Sequence, residues 1–155
     1  MISKETSAAA MGVKLQQQIE PFKPCYMFFY GSLMDPEVLQ SVLGLGYLPS
    51  VAKGTAVGFS MKMWGIYPAL IPSEGGRISG TVWKVESESH FLRLQEYETG
   101  AYSWCLCNVE LEGGEVLHGC RTFCWAGDVH SRDLEEGIFD LLRYQKYFKS
   151  SVVRR

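Results

Sequence analysis

The sequence is short of the residues that most site chemistries need. It has three histidines in 155 residues, and His90, His118 and His130 form no HxH or HxxxH pair. Its five cysteines (Cys25, Cys105, Cys107, Cys120 and Cys124) include no CxxC pair. Their spacing matches no standard zinc pattern, so no metal site is expected. There is no GxSxG elbow, and Ser32 has no identifiable histidine partner, which argues against a serine hydrolase. Gly75-Gly76 alone is a turn, not a phosphate loop. No apolar run approaches the length that spans a bilayer, so no membrane partner is expected. The 15 basic residues are scattered and the net charge is −2, which leaves no footprint for nucleic acid.

What is present fits one ordinary globular domain: 46% hydrophobic and 21% charged residues, with enough chain to bury a core. Residues 1–24 lack the apolar centre of a secretory signal and read as a flexible leader before a domain over 25–150. Without an export signal, reduced thiols in a cytoplasmic protein are expected.

Along the domain, Cys25-Tyr26-Met27-Phe28-Phe29-Tyr30 is an aromatic-rich run bounded by Pro24 and Gly31, and predicts a buried strand. Asp35 and Pro36 then predict a capped helix start, with Val38, Leu39, Val42 and Leu43 at helical spacing and Gly44 as the stop. Residues 52–63 predict a strand interrupted by Gly54 and Gly58. In 64–72 two prolines should break regular pairing, and residues 73–76 should turn before a strand over 77–85. Residues 86–98 predict a helix capped by Ser87. Two strands follow, joined at Gly113-Gly114; a two-residue turn there sets Cys107 directly across from Cys120, where a disulfide is conceivable. Residues 133–150 predict a C-terminal amphipathic helix. This order of elements predicts an α+β fold with a mostly β centre and peripheral helices.

One side chain stands out chemically. Glu98 ends the helix over 86–98, four residues past Leu94 and so on its apolar side. A carboxylate facing the core has its pKa raised by burial, into the range useful for proton transfer near neutral pH. The bland alternative is a polar residue at a frayed helix end.

Four ordered pieces, FFYGSLMDPEVL, GFSMKMWGIYPALIP, ISGTVWKV and LQEYETGAY, together resemble the gamma-glutamylcyclotransferase-like superfamily. The resemblance covers about residues 26–145 and is nearest the branch of gamma-glutamylamine cyclotransferase and the plant avirulence-induced-gene-like proteins. It implies a small mixed β-barrel-like core with flanking helices and a cavity between the Tyr-Gly-Ser-Leu turn and the glutamate. Tyr30, Gly31, Ser32 and Leu33 would cradle a small-molecule substrate, with Gly31 allowing close approach of the backbone to it. Tyr67, of the Tyr-Pro-Ala segment, and Tyr102 would join them. Glu98 would be the catalytic acid/base that closes a gamma-glutamyl amine or peptide to 5-oxoproline. The resemblance implies no cofactor; a monomer or homodimer is expected. Three positions depart from the family pattern: Gln95 stands for aspartate, Thr99 for the glycine after the glutamate, and Trp104 for an arginine. Two other readings stay open. The same glutamate would act as a lyase or cyclase on a secondary metabolite amid Met61, Met63, Trp64, Tyr67 and Trp104, or the pocket would bind without turnover.

Overall fold

The structure is a computed structural model that describes residues 21–153. Residues 1–20 of the expected leader lie outside the described residues.

Five strands close into a barrel: β1 (Cys25–Phe29), β2 (Ala52–Trp64), β3 (Tyr67–Val85), β4 (Tyr102–Leu111) and β5 (Val116–Trp125), in the order β1-β3-β2-β4-β5. Helices α1 (Pro36–Leu43), α2 (Glu88–Glu98) and α3 (Leu141–Tyr147) flank it, which completes the expected α+β fold. β1 makes the closure, antiparallel to β3 and parallel to β5.

That central place explains the unbroken apolar run in β1, because both its faces are covered. Phe28 and Tyr30 point into the barrel with Phe59, Leu70, Val82 and Val109. Met27 and Phe29 point the other way, onto Val38, Leu39 and Leu43 of α1 and Phe91 and Leu94 of α2. Side chains of this size, fully buried, stabilise by about 1.5–3 kcal/mol each. Two side-chain bonds tie β1 to β5: Thr122 Oγ1 donates to the Phe28 carbonyl at 3.0 Å, and the Tyr30 phenol donates to the Phe123 carbonyl.

The segment 64–76 corrects the sequence reading, for β3 runs unbroken through both prolines and through residues 73–76. Pro68 lies opposite Met63, which exchanges both backbone bonds with Glu135 instead. The Pro68 position therefore asks for no N–H towards β2. Pro72, four residues on and opposite Phe59, occupies the same phase. Both rings sit where a strand tolerates them. Residues 73–76 bulge from the ladder opposite Gly58, where the register shifts between Val57 and Phe59.

The β4–β5 hairpin places Cys107 opposite Cys120 as expected, by a different route. The turn has three residues, since the Leu111 N–H donates to the Glu115 carbonyl. An extra residue in β5 at His118-Gly119, where Gly119 takes φ +69°, then restores the register. Cys107 and Cys120 are free thiols; the disulfide joins Cys105 to Cys124, diagonal neighbours with Cα atoms 6.5 Å apart. The expectation that all five cysteines are reduced is thus overturned by that proximity.

The C-terminal helix is also shorter than its pattern. Met63 holds Glu135 in a backbone bridge, so residues 133–140 are extended or turned, and α3 starts only where Asp140 caps the Arg143 N–H. A 3-10 turn, Lys149–Ser151, follows it.

Candidate active site

The abrupt end of β1 makes one wall of a cavity of about 330 Å³, at the small end of the ~300–1,000 Å³ typical of small-molecule sites. After Tyr30 the chain enters a single 3-10 turn, Ser32–Met34, closed by the Met34 N–H on the Gly31 carbonyl at 3.0 Å. The amides of Ser32 and Leu33 precede that bond, so the turn gives them no acceptor. Asp35 then fixes the start of α1 as its cap, accepting from the amides of Glu37 at 2.8 Å and Val38 at 3.4 Å.

Gly31 also serves the packing of the turn itself. A Cβ there would sit 3.0 Å from the Pro68 ring, so the glycine lets the 30–33 turn pack on the Tyr67-Pro68-Ala69 segment. Tyr102 locks the same junction, its phenol donating to the Pro68 carbonyl at 2.8 Å. The Ser32 hydroxyl shares a 2.7 Å hydrogen bond with the Tyr97 phenol. Its partner is therefore a tyrosine from α2, and among the described residues no histidine lines the cavity.

Glu98 enters from the last turn of α2, beyond the fully buried Leu94. Its carboxylate lines the cavity and has no hydrogen bond or ion pair among the described residues. The residue as a whole is partly buried. Burial raises its pKa from an ordinary 4.5 to about 8. The phenols of Tyr30 and Tyr102 also titrate above their ordinary value, first through burial and then through the nearby Glu98 charge.

All seven residues singled out in the sequence (Tyr30, Gly31, Ser32, Leu33, Tyr67, Glu98 and Tyr102) line this one cavity. Trp104 does not: it packs edge-on to Phe91, with the Arg121 guanidinium 4.0 Å from its ring. Met61 packs against the barrel core, and Met63 is held by its bridge to Glu135. Sequence reasoning missed Tyr97, Tyr144, Phe148 and Val152 as parts of the wall. Only Tyr97 carried a signal, as the neighbour of Glu98.

Thr99 gives the departure from glycine a physical cost. Its φ of 68° and ψ of −179° lie in a region that essentially only glycine adopts, at a cost of about 1–3 kcal/mol for other residues. Its hydroxyl accepts from the Ala101 amide at 3.3 Å, a local bond that offsets part of the strain. Thr99→Gly is expected to raise the melting temperature by about 2–4 °C, the equivalent of ~1 kcal/mol in a domain this size. Thermal unfolding followed by circular dichroism checks this.

The fold is thus a closed five-stranded barrel with flanking helices, of the α+β class, and its cavity is lined by a glutamate and a strand-end turn. Residues 27–141 match the family described as gamma-glutamyl cyclotransferase, AIG2-like, and the chain belongs to that family. The AIG2-like protein A of Arabidopsis thaliana is 27% identical over 101 residues, which are 64% of this chain and 60% of that protein. The chain thus spans about three-fifths of that relative's length. Among solved structures, one from Arabidopsis thaliana superposes with a TM-score of 0.64 at 20% identity, covering 85% of this chain and 78% of the other. A structure titled gamma-glutamyl cyclotransferase gives a TM-score of 0.55 at 19% identity, covering 68% of each chain. These likenesses establish the fold.

Proposed function

We propose that the protein is a gamma-glutamylcyclotransferase-type enzyme that converts a gamma-glutamyl amide to 5-oxoproline and a free amine, with Glu98 as general acid/base. The observation that carries this reading is the unpartnered Glu98 carboxylate facing the 30–33 turn across a small cavity. A structural carboxylate buried this far is normally paired, whereas a general base is left free for its substrate.

The substrate's alpha-amine attacks its own gamma-carbonyl carbon, forming one C–N bond; the amide C–N bond then breaks and expels the amine. Glu98, ionised, takes the proton lost by the attacking nitrogen and returns one to the leaving nitrogen, so protons balance. The amides of Ser32 and Leu33 would hold the alpha-carboxylate or the developing oxyanion. Ring closure is intramolecular, so a wall that folds the substrate supplies much of the remaining acceleration.

The test is release of 5-oxoproline from gamma-glutamyl amines by the purified full chain, followed by chromatography. Because Glu98 must be ionised to begin, kcat/KM is expected to fall tenfold per pH unit below about 8. A flat profile from pH 6 to 8 would remove Glu98 from the base role.

A second reading, with the same carboxylate acting on an apolar secondary metabolite, is favoured by one feature: among the described residues no lysine, arginine or histidine lines the cavity. Turnover without 5-oxoproline would select it.

A further inference from the structure

The cavity has a graded depth. Phe28, Phe29, Tyr30, Leu33 and Phe123 at its floor are almost completely buried. Ile66 and Tyr67, which also line it, are 40% and 48% exposed and therefore mark its mouth. On the cyclotransferase reading, a gamma-glutamyl group would occupy the inner part beside the 30–33 turn and Glu98, and whatever it is joined to would extend to the mouth.

The mouth is apolar on two sides. Trp64, Ile66 and Tyr67 at the β2–β3 turn form one side, and Phe148, Ser151 and Val152, beyond α3, form the other, where the Ser151 hydroxyl is taken up by the Phe148 carbonyl at 2.6 Å. Among the described residues Glu98 is the only charged one lining the cavity, so none of the described mouth residues offers a charge to a charged leaving group. Phe148 and Val152 also lie outside residues 27–141, the span that matches the family. This wall is held by long-range bonds. Lys149 Nζ lies 2.7 Å from Asp35 and 3.2 Å from Glu37, and Gln145 Nε2 donates to Asp35 at 2.8 Å. Asp35 is also the cap of α1, directly after the 30–33 turn, so the wall and the turn share one anchor.

We propose that the segment carrying Phe148 and Val152 is the specificity wall of the site, and that the amine it releases is apolar and uncharged beyond the amide nitrogen, of the aryl-alkyl class. This rests on the cyclotransferase reading for the inner half of the cavity. The mouth desolvates an apolar group against aromatic and aliphatic faces and would strip water from a charged one without replacing it.

Three gamma-glutamyl amides separate the possibilities: those of phenethylamine (apolar), 1,4-diaminobutane (cationic) and glycine (anionic). Binding to the inactive Glu98→Gln chain is measured by calorimetry, and turnover of the unchanged chain by 5-oxoproline release. The phenethylamide is expected to bind at least tenfold more tightly than the other two, the scale set by burying one phenyl ring. Phe148→Ala is expected to raise KM for the phenethylamide about tenfold with kcat little changed, and to leave KM for the glycine compound unaltered. Equal or tighter binding of the cationic or anionic compound overturns the proposal. So does a Phe148→Ala effect that is the same for all three. Selective binding of the phenethylamide with no 5-oxoproline from any compound would retain the apolar mouth and overturn the cyclotransferase reading and, with it, the identity of the released amine.

Discussion

Glu98→Gln is expected to lose activity by at least two to four orders of magnitude and, above pH 8, to unfold at a higher temperature than the unchanged protein. The loss arises because a positioned general acid/base contributes about 10²–10⁴ in rate, and glutamine keeps the shape of the side chain without the proton chemistry. The gain in stability comes from the same burial. In the folded protein Glu98 holds its proton up to about pH 8, whereas the unfolded chain releases it near 4.5. Between those values the folded state binds more protons, so this group's contribution to stability falls as pH rises, and it is fully lost above pH 8. At about 1.4 kcal/mol per pKa unit the upper bound is roughly 5 kcal/mol; water in the open cavity screens the charge, and about 2 kcal/mol is expected. For a chain of this length that is a rise of about 4–8 °C in the variant at pH 9, shrinking to nothing at pH 5. Thermal melts at those two pH values, beside the 5-oxoproline assay, check both halves. A variant that is inactive but no more stable at pH 9 would mean that the carboxylate is better solvated than its surroundings suggest.

The parts of the fold that were legible in the sequence are those whose physics is local. Asp35, Pro36 and Gly44 fix both ends of α1 within ten residues, and Ser87 fixes the start of α2. Leu94 and Glu98 share a helix face by spacing alone, which sets the carboxylate on the core side without any tertiary contact. The family motifs then joined Glu98 to the 30–33 turn. The features that could not be read depended on partners far along the chain. Pro68 looked like a strand breaker because nothing nearby shows that Met63 bonds to Glu135 instead of to it. Gly31 reads locally as room for a ligand, and nothing nearby shows that it also accommodates the ring of Pro68, 37 positions later. Phe148 falls inside the helix expected over 133–150 and Val152 beyond it, and only the reach of Lys149 and Gln145 back to Asp35 turns them into a wall of the site.

Asp35→Ala is expected to be the most damaging single change outside the barrel, costing about 3 kcal/mol and lowering the melting temperature by roughly 6–12 °C. Asp35 does two jobs at once. As the cap of α1 it satisfies the amides of Glu37 and Val38, and loss of such a cap costs about 1 kcal/mol. As an acceptor for Lys149 and Gln145 it anchors the C-terminal wall, and with only 3% exposure it is covered by the side chains it binds. Burial by itself would raise its pKa, but Lys149, Gln145 and the Glu37 amide outweigh that and hold it below the usual carboxylate value. The unfolded chain therefore binds the proton first as pH falls, and the stability Asp35 supplies is present above the ordinary carboxylate pKa and lost as pH drops through the lower folded one. The gap between the two proteins should accordingly narrow below pH 4. Asp35→Asn separates the two jobs, since asparagine caps a helix as well as aspartate does but offers no charge to Lys149. It is expected to lose about half as much stability as the alanine variant. It should also share with Phe148→Ala a raised KM for the phenethylamide at nearly unchanged kcat, because loosening the anchor frees the wall while Glu98 and its turn stay in place. Unchanged KM in Asp35→Asn, with the stability loss as expected, would show that the wall keeps its position through its apolar packing alone.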